Sequence, residues 1–265
     1  MNLIEQFMSE RDRLNNKILK FANKNIQKFY HLDLNNYEES NGLDKKTKEL
    51  IGLACSMTFR GDDCVKFHMI GAYNEGANKD EILEAISIAL MIGGSIAYPK
   101  VRQAIVFLEE LESIRMFSAL KETIQPILKE NKSRNTLLQK ICEALAKDVF
   151  YYYWVGFYLV KDEGVLALGP FVGDESPHKE IKFTEGICGQ VARKQKTLVV
   201  PDVTKEKDIL YFSNYVKSEI VIPIFNKKGF FAGVLDIDSF VLDPFTEHDI
   251  EFLEELCSQI GEFMD

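Results

Sequence analysis

The chain is poor in the features that mark a secreted or membrane protein. It has five cysteines (Cys55, Cys64, Cys142, Cys188 and Cys257), odd in number and widely spread, which argues against a disulfide scaffold and for a reduced, cytoplasmic setting. It has four histidines, too scattered to form a spaced ligand set, so no metal and no cofactor is expected. No uninterrupted apolar run reaches the ~18 residues of a membrane span. The opening Met1-Asn2-Leu3-Ile4-Glu5 lacks the basic end and apolar stretch of a signal peptide. Basic charge is also short. The net charge is −9, divided as −2 over residues 1–115 and −7 over the remainder. With no basic stripe, nucleic acid and anionic membrane are excluded as expected partners. What remains is 265 residues with 46% hydrophobic and 28% charged side chains, enough for about two ordinary globular domains.

The first part reads as helix only. Apolar residues recur at helical period over residues 3–30, and 31–43 reads as a connector through Asn35-Asn36 and Ser40-Asn41-Gly42. Asp44 is expected to cap a helix to about Arg60, which Gly61 breaks. A helix from Asp62 to Glu75 stops at Gly76. Asn78 and Glu81 form a capping box for a helix ending at Gly93-Gly94. A last helix covers about Ile96 to Arg115, with Pro99 in its first turn. The boundary is placed near Ile114–Leu120, giving domains 1–115 and 116–265.

The second part changes character. Residues 117–147 are amphipathic helix, interrupted near Asn131–Ser133. Residues 151–160 are aromatic and β-branched and read as a strand, which pairs back through Val165–Leu168. Gly186–Lys194 is a short helix and Leu198–Val200 a strand. Ile220–Phe225 and Phe230–Asp236 form a hairpin around Asn226–Gly229, and Thr246 caps a closing helix over 247–263. The fold class is therefore all-α followed by α+β, an antiparallel sheet flanked by helices.

Two constellations carry chemistry. Cys64 and His68 stand four apart on a predicted helix, hence on one face. A base or cation beside a thiol raises its reactive thiolate fraction. The bland alternative is a buried cysteine and an unrelated histidine. In the second part, Asp236 and Asp238 are two apart on a strand and share a face, as do Trp154 and Tyr158. With Glu219 nearby they would make an aromatic wall opposite carboxylates, which suits a small cationic or zwitterionic ligand. The alternative is solvated strand-end acids beside core aromatics.

The series Glu49, Gly61-Asp62-Asp63-Cys64-Val65-Lys66-Phe67-His68, Gly71-Ala72 through Ala85, and Gly93-Gly94 resembles the carboxymuconolactone decarboxylase / alkylhydroperoxidase D family over about residues 25–112. In the peroxidase branch of that family the site is a Cys-x-x-Cys pair, a histidine four residues beyond the second cysteine, and an upstream glutamate. The resemblance puts Cys64 as nucleophile, His68 as its base and Glu49 as the residue orienting the histidine. Gly61 stands where the first cysteine would be. Cys55, on the preceding helix, could resolve Cys64 only if the fold brought it near; otherwise an external thiol must do so. The resemblance further implies a hydroperoxide oxidant and a homo-oligomer.

The elements Trp154–Leu159, Gly169-Pro170-Phe171, Gly186-Ile187-Cys188-Gly189, Ser218-Glu219-Ile220-Val221 and Asp236-Ile237-Asp238-Ser239 occur in the order seen in the GAF domain of free methionine-(R)-sulfoxide reductases. The resemblance assigns Trp154, Tyr158, Cys188, Glu219, Asp236 and Asp238 to a ligand pocket for a methionine-like molecule. It places Phe212 and His178 where two redox cysteines would stand. The implied whole is a thiol oxidoreductase of peroxiredoxin or alkylhydroperoxidase type carrying a non-catalytic GAF module. Two alternatives are a purely regulatory ligand sensor and a methionine sulfoxide reductase acting through Cys188.

Overall fold

A computed structural model describes residues 3–38, 42–59, 61–130, 133–208, 210, 213 and 215–264. The chain divides into two compact units, Met1–Ser113 and Ile114–Asp265.

The first unit is helical. α1 (Leu3–Phe21) and α2 (Lys24–Glu38) are separated where Asn23 accepts from the backbone N–H groups of Asn25 and Ile26, so the 3–30 pattern is two helices. The expected connector at 31–43 is corrected: α2 continues through Asn35-Asn36 to Glu38. α3 (Lys45–Phe59) starts on Asp44, which accepts from Thr47 N at 2.7 Å. α4 (Asp62–Asn74) follows Gly61, and α5 (Lys79–Gly93) carries the expected Asn78–Glu81 capping box. A 3-10 turn, Gly94–Ala97, leads into α6 (Tyr98–Lys129). Leu53, Met57, Met69, Ile82 and Leu108 fill the core.

The stretch Lys79–Lys129 is long and apolar enough to cross a membrane by composition. Gly94 at φ +60° divides it, however, and α5 alone has 15 residues, about 22 Å of helix against a ~30 Å hydrocarbon core. The inner face of α5, with Ile82, Ala85, Ile86 and Ala89, is buried in the unit's own core.

The predicted stop at Arg115 is also corrected. α6 extends past Arg115 to Lys129, because residues 110–125 contain neither glycine nor proline and keep apolar residues at helical spacing. Its later turns, with Phe117, Leu120 and Ile124, join the second unit's core.

The second unit adds α7 (Arg134–Asp148) and six strands: β1 (Trp154–Asp162), β2 (Val165–Val172), β3 (Glu180–Lys182), β4 (Leu198–Val200), β5 (Ser218–Phe225) and β6 (Phe231–Ser239). The antiparallel order is β3-β2-β1-β6-β5-β4. α8 (Gly186–Lys194) and α9 (Glu247–Ile260) complete it. β3 has three residues and no sequence signal of its own. The first strand begins at Trp154 rather than Tyr151, since Tyr151 and Tyr152 turn their hydroxyls to Asp249 on α9.

Strand alternation gives the sheet two chemically different faces. Val155, Phe157, Ile220, Ile222, Leu235 and Ile237 pack with α7 and α9 in a dry core. Trp154, Tyr158, Val221 and Val234 point the other way, with Ile187 and Val191 of α8.

Asp249 is fully buried in the dry layer. Its Oδ1 accepts from Tyr151 and Tyr152 at 2.8 and 2.7 Å, and its Oδ2 from Thr246 N and Oγ1 at 2.8 and 2.7 Å. Replacing it with alanine strands four donors. Asp249→Ala should lower the unit's unfolding free energy by about 2–4 kcal/mol. Urea titration followed by the fluorescence of Trp154, the chain's one tryptophan, measures this; a change within ~0.5 kcal/mol would refute the structural role.

Candidate functional site

The helical unit brings three expected residues together. Glu49 of α3 is buried, and its Oε2 lies 2.7 Å from Nδ1 of His68 on α4. With Nδ1 engaged, Nε2 is the imidazole nitrogen left to exchange a proton. Cys64 stands one turn earlier on α4 and is exposed, so the buried-cysteine alternative does not hold.

Sequence reasoning missed what makes the close approach of α3 and α4 tolerable. A Cβ at Gly71 would lie 2.5 Å from Cδ of Glu49, and one at Gly52 would lie 2.8 Å from Nδ1 of His68. Each glycine sits one turn beyond a member of the pair, so the spacing Glu49-x-x-Gly52 and His68-x-x-Gly71 was a readable signal. Tyr37 was missed as well, since it fell in the supposed connector. Its ring lies 5.0 Å from that of His68, and burial first, then the charge of Glu49, pushes its phenol up and keeps it protonated.

Gly61 is positioned where a second thiol would work. A Cβ built there would be 3.5 Å from Cβ of Cys64 and 3.6 Å from its Sγ, and Gly61 has φ −79°, open to any residue. Disulfides require Cβ separations of about 3.5–4.5 Å. In a Cys55→Ser background, Gly61→Cys should therefore form an intrahelical disulfide with Cys64 on mild oxidation. Peptide mapping shows the linked peptide; persistent free thiols would contradict this geometry.

The second unit gathers its six expected pocket residues on the α8 face of the sheet. Register places Trp154 opposite Asp238, Gly156 opposite Asp236, and Glu219 opposite Asp238. Glu219, Asp236 and Asp238 are all buried, so they are not solvated strand-end acids. Trp154 folds across Gly156, where a Cβ would meet its ring at 2.3 Å. The ring lies 6.1 Å from that of Tyr158 and 5.7 Å from that of Phe171, with its Nε1 donating to Asp174 O. The Tyr158 hydroxyl donates to His178 O at 3.0 Å, which places His178 at the cavity wall. Phe212 lies outside the described residues.

The electrostatics of this cavity are unbalanced. Cys188 Sγ donates to Oδ2 of Asp236 at 3.3 Å, while no donor reaches the buried Oδ1. Burial pushes the Asp236 carboxyl up to about 7. Burial and the neighbouring acids push Glu219 and Asp238 up as well. The same two causes push the Cys188 thiol up, so it holds its proton. Cys188, Glu219 and Asp236 each place a ligand atom within 4.8 Å of the others, a set that could hold a cation. No histidine belongs to this set, so histidine spacing carries no signal of it. Among the described residues that line the cavity there is no lysine or arginine.

Comparison with known proteins assigns both halves. A carboxymuconolactone decarboxylase family model matches residues 27–107, and a GAF domain model matches residues 133–262. GAF domain-containing protein A of Dictyostelium discoideum is 38% identical over 140 residues, 53% of this chain and 87% of that protein. The chain belongs to the GAF-domain proteins. Its GAF domain follows a carboxymuconolactone decarboxylase family domain. The free methionine-R-sulfoxide reductase of Saccharomyces cerevisiae is 37% identical over 129 residues, 48% of this chain and 69% of the enzyme. A crystal structure of free methionine-R-sulfoxide reductase from Neisseria meningitidis with its substrate superimposes with a TM-score of 0.53 at 32% identity, covering 58% of this chain and 90% of the other. The GAF domain is thus related to methionine-R-sulfoxide reductases.

The raised carboxyls fix the sign of a pH effect. Each binds its proton more tightly in the folded than in the unfolded chain, where carboxyls titrate near pH 4. The stability they contribute is present below that value and is lost as pH rises through the folded one, about 7 for Asp236. The urea midpoint read from Trp154 should fall between about pH 5 and 8, and Asp236→Asn should flatten the slope. A midpoint that climbs over this range in the ligand-free protein would contradict the assignment.

Proposed function

We propose that the chain is a thiol-dependent oxidoreductase of the alkylhydroperoxidase or peroxiredoxin type, with Cys64 as the nucleophile, a hydroperoxide as oxidant and an external thiol as reductant. One observation carries this reading: the buried Glu49–His68 contact at 2.7 Å, one helical turn from an exposed thiol. Glu49 holds the imidazole in one tautomer, His68 takes the Cys64 proton through Nε2, and the thiolate attacks the peroxide oxygen. The three buried thiols are poorer nucleophiles. Burial pushes Cys142 and Cys257 well up, and Cys188 with them. The exposed α5 and turn residues Ile88, Met91, Ile92 and Ile96 support assembly of this domain into a homo-oligomer.

The GAF domain, on this reading, binds a small methionine-like ligand without turning it over. Its ammonium group would supply a donor to the unpartnered oxygen of Asp236 and a positive charge to the acid cluster, and its side chain would lie on Trp154 and Tyr158. Sulfoxide reduction needs a thiolate, and Cys188 keeps its proton in this acidic surrounding.

Limiting alkylation at neutral pH should label Cys64 before the other cysteines, and His68→Gln should slow peroxide consumption about 100-fold. Equal labelling of Cys142 or Cys257 would sink the activation argument. Calorimetry should detect at least one of methionine and its sulfoxides, with binding about tenfold weaker in Asp238→Ala. Sulfoxide turnover abolished by Cys188→Ser would instead restore the reductase reading.

A further inference from the structure

Cys55 is a free, exposed thiol on α3 that the mechanism above leaves unused. Its place follows from the packing of the α3–α4 hairpin. Gly71 faces Glu49, and Gly52 faces His68, each close enough that a Cβ would collide with the opposing side chain. One turn further along α3 from Gly52 come Cys55 and Ser56. One turn back along α4 from His68 comes Cys64. The next layer of the same interface therefore sets Cys55 and Ser56 against Cys64. The hairpin closes immediately beyond it, where Gly61 N donates to Ser56 O at 3.0 Å.

Tyr37 gives an independent bearing. A Cβ on Gly52 would lie 2.8 Å from its hydroxyl, and its ring lies 5.0 Å from that of His68, tilted by 35°, so it sits beside this interface. Burial first, then Glu49 and Asp33, push its phenol up, with smaller contributions from Cys55 and Cys64.

We propose that Cys55 is the resolving thiol of Cys64, so that the pair lost at Gly61 is rebuilt across two helices. This rests on Cys64 being the peroxide-reactive thiol. The Cys64 thiolate attacks the terminal oxygen of a hydroperoxide; the O–O bond breaks, an alcohol or water leaves with a proton, and a sulfenic acid remains. The Cys55 sulfur then attacks the Cys64 sulfur. The S–O bond breaks, water leaves, and a Cys55–Cys64 disulfide forms. A small dithiol returns both residues to thiols and is itself oxidised to its disulfide.

The test treats the full chain with one equivalent of hydrogen peroxide and maps peptides after thiol blocking. Wild type should yield a Cys55–Cys64 linked peptide within a single chain and lose two free thiols. Cys55→Ser should react with peroxide at the wild-type rate but stop at a Cys64 sulfenic acid trapped by dimedone. Its steady-state turnover with dithiothreitol should fall about tenfold. Cys64→Ser should give neither product. Wild type that accumulates the dimedone adduct without the linked peptide overturns the resolving role and leaves Cys64 as nucleophile. A disulfide that joins two chains through Cys55 overturns it equally. Absence of any Cys64 oxidation overturns the peroxidase reading itself.

Discussion

Burying a carboxylate is the constraint on which both halves of this protein turn. An ionised acid removed from water must find a counter-charge or donors, or else take up a proton. Three buried acid sites meet that demand in three ways. Asp249 receives four donors and ties the Tyr151–Tyr152 turn to the start of α9. Glu49 receives an imidazole. Asp236, with Glu219 and Asp238 against it, accepts from the Cys188 thiol and, among the described residues, keeps one oxygen unpartnered. The first solution is purely structural. The second makes the histidine's remaining nitrogen available for proton transfer. The third leaves a debt that only a ligand or bound protons can settle.

Glycine makes each of the two candidate sites sterically feasible. Gly52 and Gly71 let two helices approach until a glutamate and a histidine from different helices meet at 2.7 Å. Gly156 lets an indole lie flat across a strand and wall the acidic cavity. In each case the side chain that matters occupies the space where a Cβ would have been.

The thiols divide along the same physical line. Cys142 and Cys257 lie in the dry core, and Cys188 lies among carboxyls; burial keeps the protons on all three. Cys55 and Cys64 are exposed on the two helices that carry Glu49 and His68. Five cysteines that are equivalent in composition are therefore unequal in chemistry.

Much of this was legible from residues alone. The Asn78 capping box, the Gly186–Lys194 helix, the closing helix after Thr246 and the division into helical and mixed halves follow from local spacing and caps, which act within a few residues. So does the shared face of Asp236 and Asp238, because a strand repeats every two residues. Local signals failed where a distant partner decided. Asn35-Asn36 looked like a connector, yet α2 continues so that Tyr37 can cover His68. Tyr151 and Tyr152 looked like strand and were drawn off by an aspartate about a hundred residues away. The pairing of Glu49 with His68 and the burial of the three acids depend on helix and strand register. Register is set by side chains meeting across the fold, so only the tertiary structure could decide them.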